Sequence, residues 1–172
     1  MPSIAELLVA ELDREMQGTR RALERVPEGR NDRKPHEKSM DLGYLAGLVA
    51  TMPGWIVSMV EDEQLDLASP GRYRTRPFDS TAELVRTFDE EVAAARASLA
   101  AASDERLLTT KWRLTMQGNV LAEQTRYEAV RDSALNHLYH HRAQLTTYLR
   151  LNERPVPSLY GPTADEPARP PS

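Results

Sequence analysis

The sequence predicts an all-α fold, a four-helix bundle. Two observations carry this. Apolar residues recur at steps of three and four in four separate segments, which places them on single helix faces. No stretch shows the sustained alternation of a half-buried strand. At 172 residues, 40% hydrophobic and 28% charged, the chain is about one domain long. A single core can then bury roughly 70% of the unfolded surface.

The first helix is predicted over about 3–26. Ile4, Leu8, Leu12, Met16, Thr19, Leu23 and Val26 share a face. Ser3 followed by Glu6 is a capping-box pattern, and Pro27 and Gly29 stop the helix. A polar connection, "PEGRNDRKPHEK", leads to a second helix that starts near Ser39–Asp41. Its seam reads Leu45, Leu48, Met52, Trp55, Met59. Pro53 lies inside that pattern. Because proline lacks the amide donor and clashes with the preceding turn, a kink or break is expected there.

After a second long connection, "ASPGRYRTRPFD", Ser80 and Glu83 repeat the capping-box pattern. The third helix carries Leu84, Phe88, Val92, Ala95, Leu99 and Ala102 on one side. "TTKWRLTMQGNVL" is the least helical piece, read as an extended loop or a short hairpin turning at Gly118–Asn119. The fourth helix is expected over about 124–151, with Tyr127, Val130, Ala134, His137, His141, Gln144, Tyr148 and Leu151 in phase. Prolines come next. The chain is expected to form one domain over 1–165, with 166–172 as a disordered tail. Val156 to Tyr160 are expected to fold back on the bundle.

Composition narrows function. The net charge of −4 argues against nucleic-acid binding, which needs a basic face. Without cysteine, disulfides, thiolate metal sites and cysteine nucleophiles are excluded. No apolar run reaches a membrane span, and the acidic, amphipathic N-terminus is unlike a signal peptide. A cytoplasmic protein is the expectation.

Three of the four histidines fall in "NHLYHHRAQL". In a helix His137 and His141 lie about 40° apart and His140 about 60° to the other side. Two imidazoles one turn apart can chelate one ion, or can serve as hydrogen-bonded packing residues. A catalytic zinc usually takes three protein ligands, so a third would have to come from another helix. Ser133 precedes His137 by one turn, without an evident orienting acid. In "GRYRTRPF", Arg72, Arg74 and Arg76 stand beside Tyr73 and Phe78. That run is read as a solvated loop, with contact to an anionic ligand or partner as the alternative.

"KPHEKSMDLGYLAGLVATMPGW" and "NHLYHHRAQLTTYLRLNERPVPSLYGPTADE" resemble the second and last helices of the DinB/YfiT-like four-helix bundles, where "NHxxHHRGQL" and "PvPxxYGPsaDE" recur. The resemblance spans essentially the whole chain. It implies a divalent ion, zinc or nickel, held by three histidines: two from the last helix, matching His137 and His141, and one from the second. It also implies a homodimer and, in several relatives, transfer or isomerisation chemistry with a low-molecular-weight thiol.

The second helix departs from that pattern. The family's "LGxLAxHvA" reads "LGYLAGLVA" here, so Leu48 stands where the first histidine ligand belongs. Three outcomes are open. The metal is lost; or two histidines and water hold it weakly; or a substitute such as His36, His140 or Asp41 completes the site. Asp41 is in phase with Leu48 but about 10 Å away along the helix. The first outcome is the expectation. It leaves a non-catalytic binding or stress-response protein, with a modified two-histidine thiol transferase as the alternative.

Overall fold

The computed structural model of the chain describes residues 1–69 and 71–167. Helix α1 (Ile4–Leu23) starts on a complete capping box, Ser3 Oγ accepting from the Glu6 amide at 3.1 Å and Glu6 accepting from the Ser3 amide at 2.7 Å. Helix α2 (Leu42–Glu61) is the core element, buried on nearly every side. It runs through Pro53 without a break, where the sequence led us to expect a kink or interruption. Packing on all sides holds the turn that lacks one amide donor. By length and composition α2 is apolar enough to cross a membrane, but that apolar surface is buried inside the bundle.

Helix α3 (Thr81–Ala101) begins with half of its expected capping box. Ser80 Oγ accepts from the Glu83 amide at 3.1 Å, but the Glu83 carboxylate turns to Arg76 at 2.7 Å. A short α4 (Asp104–Thr109) comes next, and Asp104 accepts from the Ile4 amide at 2.9 Å, fixing it to the start of α1.

The strictly all-α expectation needs correction. A small mixed sheet is present, ordered β1 (Gln64–Asp66), β2 (Lys111–Met116), β3 (Asn119–Thr125). β1 pairs parallel with β2, and β2 antiparallel with β3 across a bulge between Leu114 and Thr115. The hairpin turns at Gln117–Gly118, both with positive φ (50° and 79°), one residue earlier than the sequence reading placed it. Positive φ at both central residues matches the twist of the flanking strands. The hairpin also delivers Trp112, 1% exposed, to the core.

The last long helix has three contiguous pieces: α5 (Arg126–Glu128), a π-helical stretch (Ala129–Asn136) and α6 (His137–Leu151). Arg126, 4% exposed, donates to the carbonyls of Met59, Val60 and Asp62, and Arg106 to those of Val60 and Glu61. Two guanidinium groups thus close the carbonyl end of α2, where cations are favoured.

Cross-helix contacts define the bundle. α1 runs antiparallel to α3 through Arg20–Asp89 and Arg96–Asp13. α2 lies parallel to α3: a Cβ on Gly47 would sit 2.0 Å from the Arg76 carbonyl, just before α3, and one on Gly54 would meet Glu91 further along. α2 is antiparallel to α6 through Tyr148–Met40 and Trp55–His137. α6 is parallel to α1 through Glu15–Arg142. Parallel α2 and α3 require a connection that travels the bundle's length, which residues 62–80 supply.

Candidate metal centre

The buried line of α6 runs through Leu138, Arg142, Leu145 and Leu149, with His141 and Tyr148 beside it. His141 is 5% exposed. His137 is exposed at the rim, its ring tilted against Trp55 with centroids 5.9 Å apart. The sequence placed both histidines inward on one seam. Helical steps from Val130 and Ala134 continue to Leu138, His141, Leu145 and Tyr148, so Leu138 takes the inward place and His137 stands one position to the side.

The two rings still converge. Their Nε2 atoms are 2.9 Å apart and their centroids 4.6 Å. Nδ1 of His141 lies 2.8 Å from Gln144 Oε1, and the Ser133 backbone beside His137 favours that ring's charged form. At 2.9 Å one Nε2 donates to the other, or a shared proton or another cation lies between them. Partial desolvation holds both imidazoles below their ordinary pKa. Hydrogen bonds to Ser133 and Gln144 oppose this, and the neighbouring histidines add to the lowering. Neutral rings are the form that ligates metal.

The third arm is apolar. Leu48 is 6% exposed on α2, between the Met40–Tyr148 and Trp55–His137 contacts that fix α2 against α6. The neighbouring Thr51 hydroxyl is spent on the Gly47 carbonyl at 2.9 Å. Trp55 Nε1 is buried without a partner, but an indole N–H donates and cannot ligate. Among the described residues no group of three or more His, Asp or Glu side chains could hold an ion. The residues present therefore do not fit a three-histidine centre.

The substitutes are also elsewhere. His36 is exposed and accepts from the Lys38 amide at 3.1 Å. Asp41 pairs with Lys34 at 3.2 Å. His140 is exposed and meets His141 edge-on, centroids 5.1 Å apart. Ser133 Oγ accepts from Gln124 at 2.8 Å, so it is not part of a serine–histidine pair. In the arginine-rich loop Arg76 stacks on Phe78 and pairs with Glu83; the Arg72 side chain lies outside the described residues.

Sequence reasoning missed the other face of α6. Arg142, 2% exposed, donates to the Glu15 carbonyl at 3.0 Å, Thr19 Oγ1 at 3.1 Å and Glu15 Oε2 at 2.9 Å. The Tyr160 hydroxyl bonds both Arg142 and the Glu15 carboxylate. Burial pushes the Glu15 carboxyl up, but Tyr160 and Arg142 outweigh it and the net pKa lies below the ordinary value. The available signal was an arginine flanked by inward-facing positions, with a tyrosine in the returning tail.

That tail is anchored further than expected. Pro157 and Ser158 are buried. Asp165 pairs with Arg150 and accepts from the Val156 amide; Glu166 pairs with Arg21 and Arg25 and accepts from the Ser158 amide. The tail expected from residue 166 is instead held at Glu166, whose carboxylate pairs with Arg21 and Arg25. Residues 168–172 lie outside the described residues.

The profile of the DinB family matches residues 1–171. Among solved structures, a DinB-like protein from Bacillus subtilis superposes with a TM-score of 0.66 at 18% identity, covering 88% of this chain and 95% of its own. A DinB-like protein from Bacillus cereus superposes with a TM-score of 0.69 at 17% identity, covering 92% of this chain and 98% of its own. A search of curated proteins returns no match. At these identities the superpositions speak to the fold.

Proposed function

The chain belongs to the DinB family, and from that premise we propose that it is a member whose metal centre is reduced to His137 and His141, without constitutive metal-dependent catalysis. The carrying observation is the pairing of the two Nε2 atoms at 2.9 Å, with a buried Leu48 on α2 between the Met40–Tyr148 and Trp55–His137 contacts. Loss of one chelating arm weakens a site twice over, since it removes a bond and sets apolar surface where an ion's waters would sit. A metal catalyst polarises substrate or lowers the pKa of a bound nucleophile. The described side chains around the pair offer no other group placed to replace it.

A second reading has one observation in its favour. His141 has an oxygen partner, Gln144 Oε1, on the side turned away from His137, the arrangement that orients histidine ligands. The pair then holds zinc or nickel weakly with water and works on a low-molecular-weight thiol, in a homodimer. An open cleft of about 380 Å³ beside Gln144, reaching Lys38 and Tyr148, would receive such a ligand.

Metal analysis of untagged protein, with zinc and nickel titrations, separates the readings. The first expects well under one ion per chain after dialysis; a tightly held stoichiometric ion overturns it. The substitution Leu48→His is near-isosteric and restores the third nitrogen. It is expected to tighten zinc binding by tenfold or more, about 1.4 kcal/mol. No tightening would mean that the pair is no longer arranged for a metal.

A further inference from the structure

We propose that the connection between α1 and α2 forms a binding site for a small phosphorylated anion carrying two or more phosphate groups. Arg30, Arg33 and Lys34 meet Pro35, Leu151 and Asn152 around an open cleft of about 370 Å³, within the size range of small-molecule sites.

Nearly every described arginine side chain is engaged with a carboxylate, a backbone carbonyl or an aromatic ring. Among the described residues the exceptions are Arg30, Arg33 and Arg74. Two of these three line the same cleft, in a protein whose net charge is −4. Lys34 adds a third cation, exposed and shared with Asp41 at 3.2 Å.

The cleft lies at the carbonyl end of α6, and cations there could merely offset the helix dipole. The carbonyls of Tyr148, Leu149 and Arg150 already have donors. Asn152 Nδ2 and its amide donate to Tyr148, the Arg154 amide to Leu149 and the Glu153 amide to Arg150. Neither Arg30 nor Arg33 donates to them, so both forks remain available.

The connection is also held in place. The Leu42 amide donates to the Arg33 carbonyl at 2.7 Å, the Gly43 amide to the Asn31 carbonyl at 3.0 Å, and Asn31 Nδ2 to the Phe78 carbonyl at 3.0 Å. The Arg33 amide closes a turn onto Arg30 at 3.0 Å. A backbone fixed at these points presents its cations without a large ordering cost. Planar guanidinium forks match phosphate oxygens bidentately. Two forks and an ammonium exceed what one carboxylate can satisfy, which points to a di- or triphosphate. Pro35 and the exposed Leu151 give an apolar wall for a group attached to it.

The test is calorimetric titration of the full chain with inorganic triphosphate, ADP and citrate at about 0.1 M ionic strength. Saturable one-to-one binding of at least one phosphate probe is expected, tighter than citrate. Equal affinity for triphosphate and ADP would assign the site to the phosphates alone, and tighter ADP would add the apolar wall; both support the proposal. Arg30→Ala combined with Arg33→Ala should weaken binding by about tenfold or more, with an unchanged melting temperature because neither side chain has a partner. Arg74→Ala should leave binding unchanged. No saturable binding of either phosphate probe, citrate binding as tightly, or equal loss in Arg74→Ala would each overturn the site.

Discussion

Neighbouring residues on α6 face two different partners. Arg142 turns to α1 and finds a carboxylate, a hydroxyl, a carbonyl and the Tyr160 phenol waiting for it. His141 is buried too, but its hydrogen bonds stay on its own helix, to His137 and Gln144, while Leu48 is buried on the neighbouring α2. The first face is a polar network, buried at Arg142, Glu15 and Thr19 and reached from the surface by Tyr160, that ties three segments together. The second is a local arrangement on a single helix, with nothing polar reaching it from α2 at Leu48. A polar group in a bundle acquires structural weight when its partner comes from another element. The arginine face is therefore expected to carry stability, and the histidine face to carry little.

Breaking the arginine face should have the largest effect. Glu15→Ala leaves the Arg142 guanidinium buried and without its counter-charge. Removing one member of a buried pair costs about 3–5 kcal/mol, readable by urea denaturation. Replacing both, Glu15→Leu with Arg142→Met, should recover most of that loss, since a packed apolar pair carries no desolvation penalty. Equal losses in the single and double variants would show that packing matters there and the charges do not. By contrast, His141→Gln keeps a polar side chain of similar size on the histidine face. It should change stability by no more than about 1 kcal/mol.

The same network predicts an acid limb. The carboxyl of Glu15 has a folded pKa below its ordinary value of 4.5. A depressed carboxyl contributes stability that is complete above the unfolded pKa and is lost as pH falls through the folded one. Wild type should therefore lose stability progressively below about pH 4.5. Tyr160→Phe removes one of the two hydrogen bonds that lower this pKa, so the folded value moves up towards the unfolded one, and the loss should be smaller and complete at higher pH. Near neutral pH the same variant should cost about 1–2 kcal/mol. Identical acid limbs for the two proteins would detach Tyr160 from Glu15.

The sequence shows one of these faces better than the other. Four helices are readable from local signals: Ser3 and Glu6, Ser80 and Glu83, and apolar residues at helical steps. The histidine pair and its apolar counterpart were also legible, because both rest on short-range phase and a motif. The features that escaped depend on contacts distant in sequence. β1 is three residues long and exists through pairing with Arg113 to Thr115. The Arg142 network joins α1, α6 and the tail. His137 was misplaced by one position, because helical steps from Ala134 reach His137 and Leu138 about equally well and the apolar Leu138 takes the buried place.

The tail gives the smallest effect and the finest division between the two kinds of contact. Truncation after Pro167 removes no described contact and should leave the melting temperature unchanged. Truncation after Asp165 also removes Glu166, whose carboxylate joins Arg21, Arg25 and the Ser158 amide while its carbonyl accepts from Thr163. Its side chain is 27% exposed, so solvent screens the pairs and the loss should be about 1 kcal/mol. Asp165 and Tyr160 would remain, holding the segment at both ends. A loss as large as that of Glu15→Ala would mean that Glu166 closes the polar network itself, with Tyr160 secured only through it. If the two truncations behave alike, the lock on α1 ends at Tyr160, and the acidic pair beyond it is surface charge.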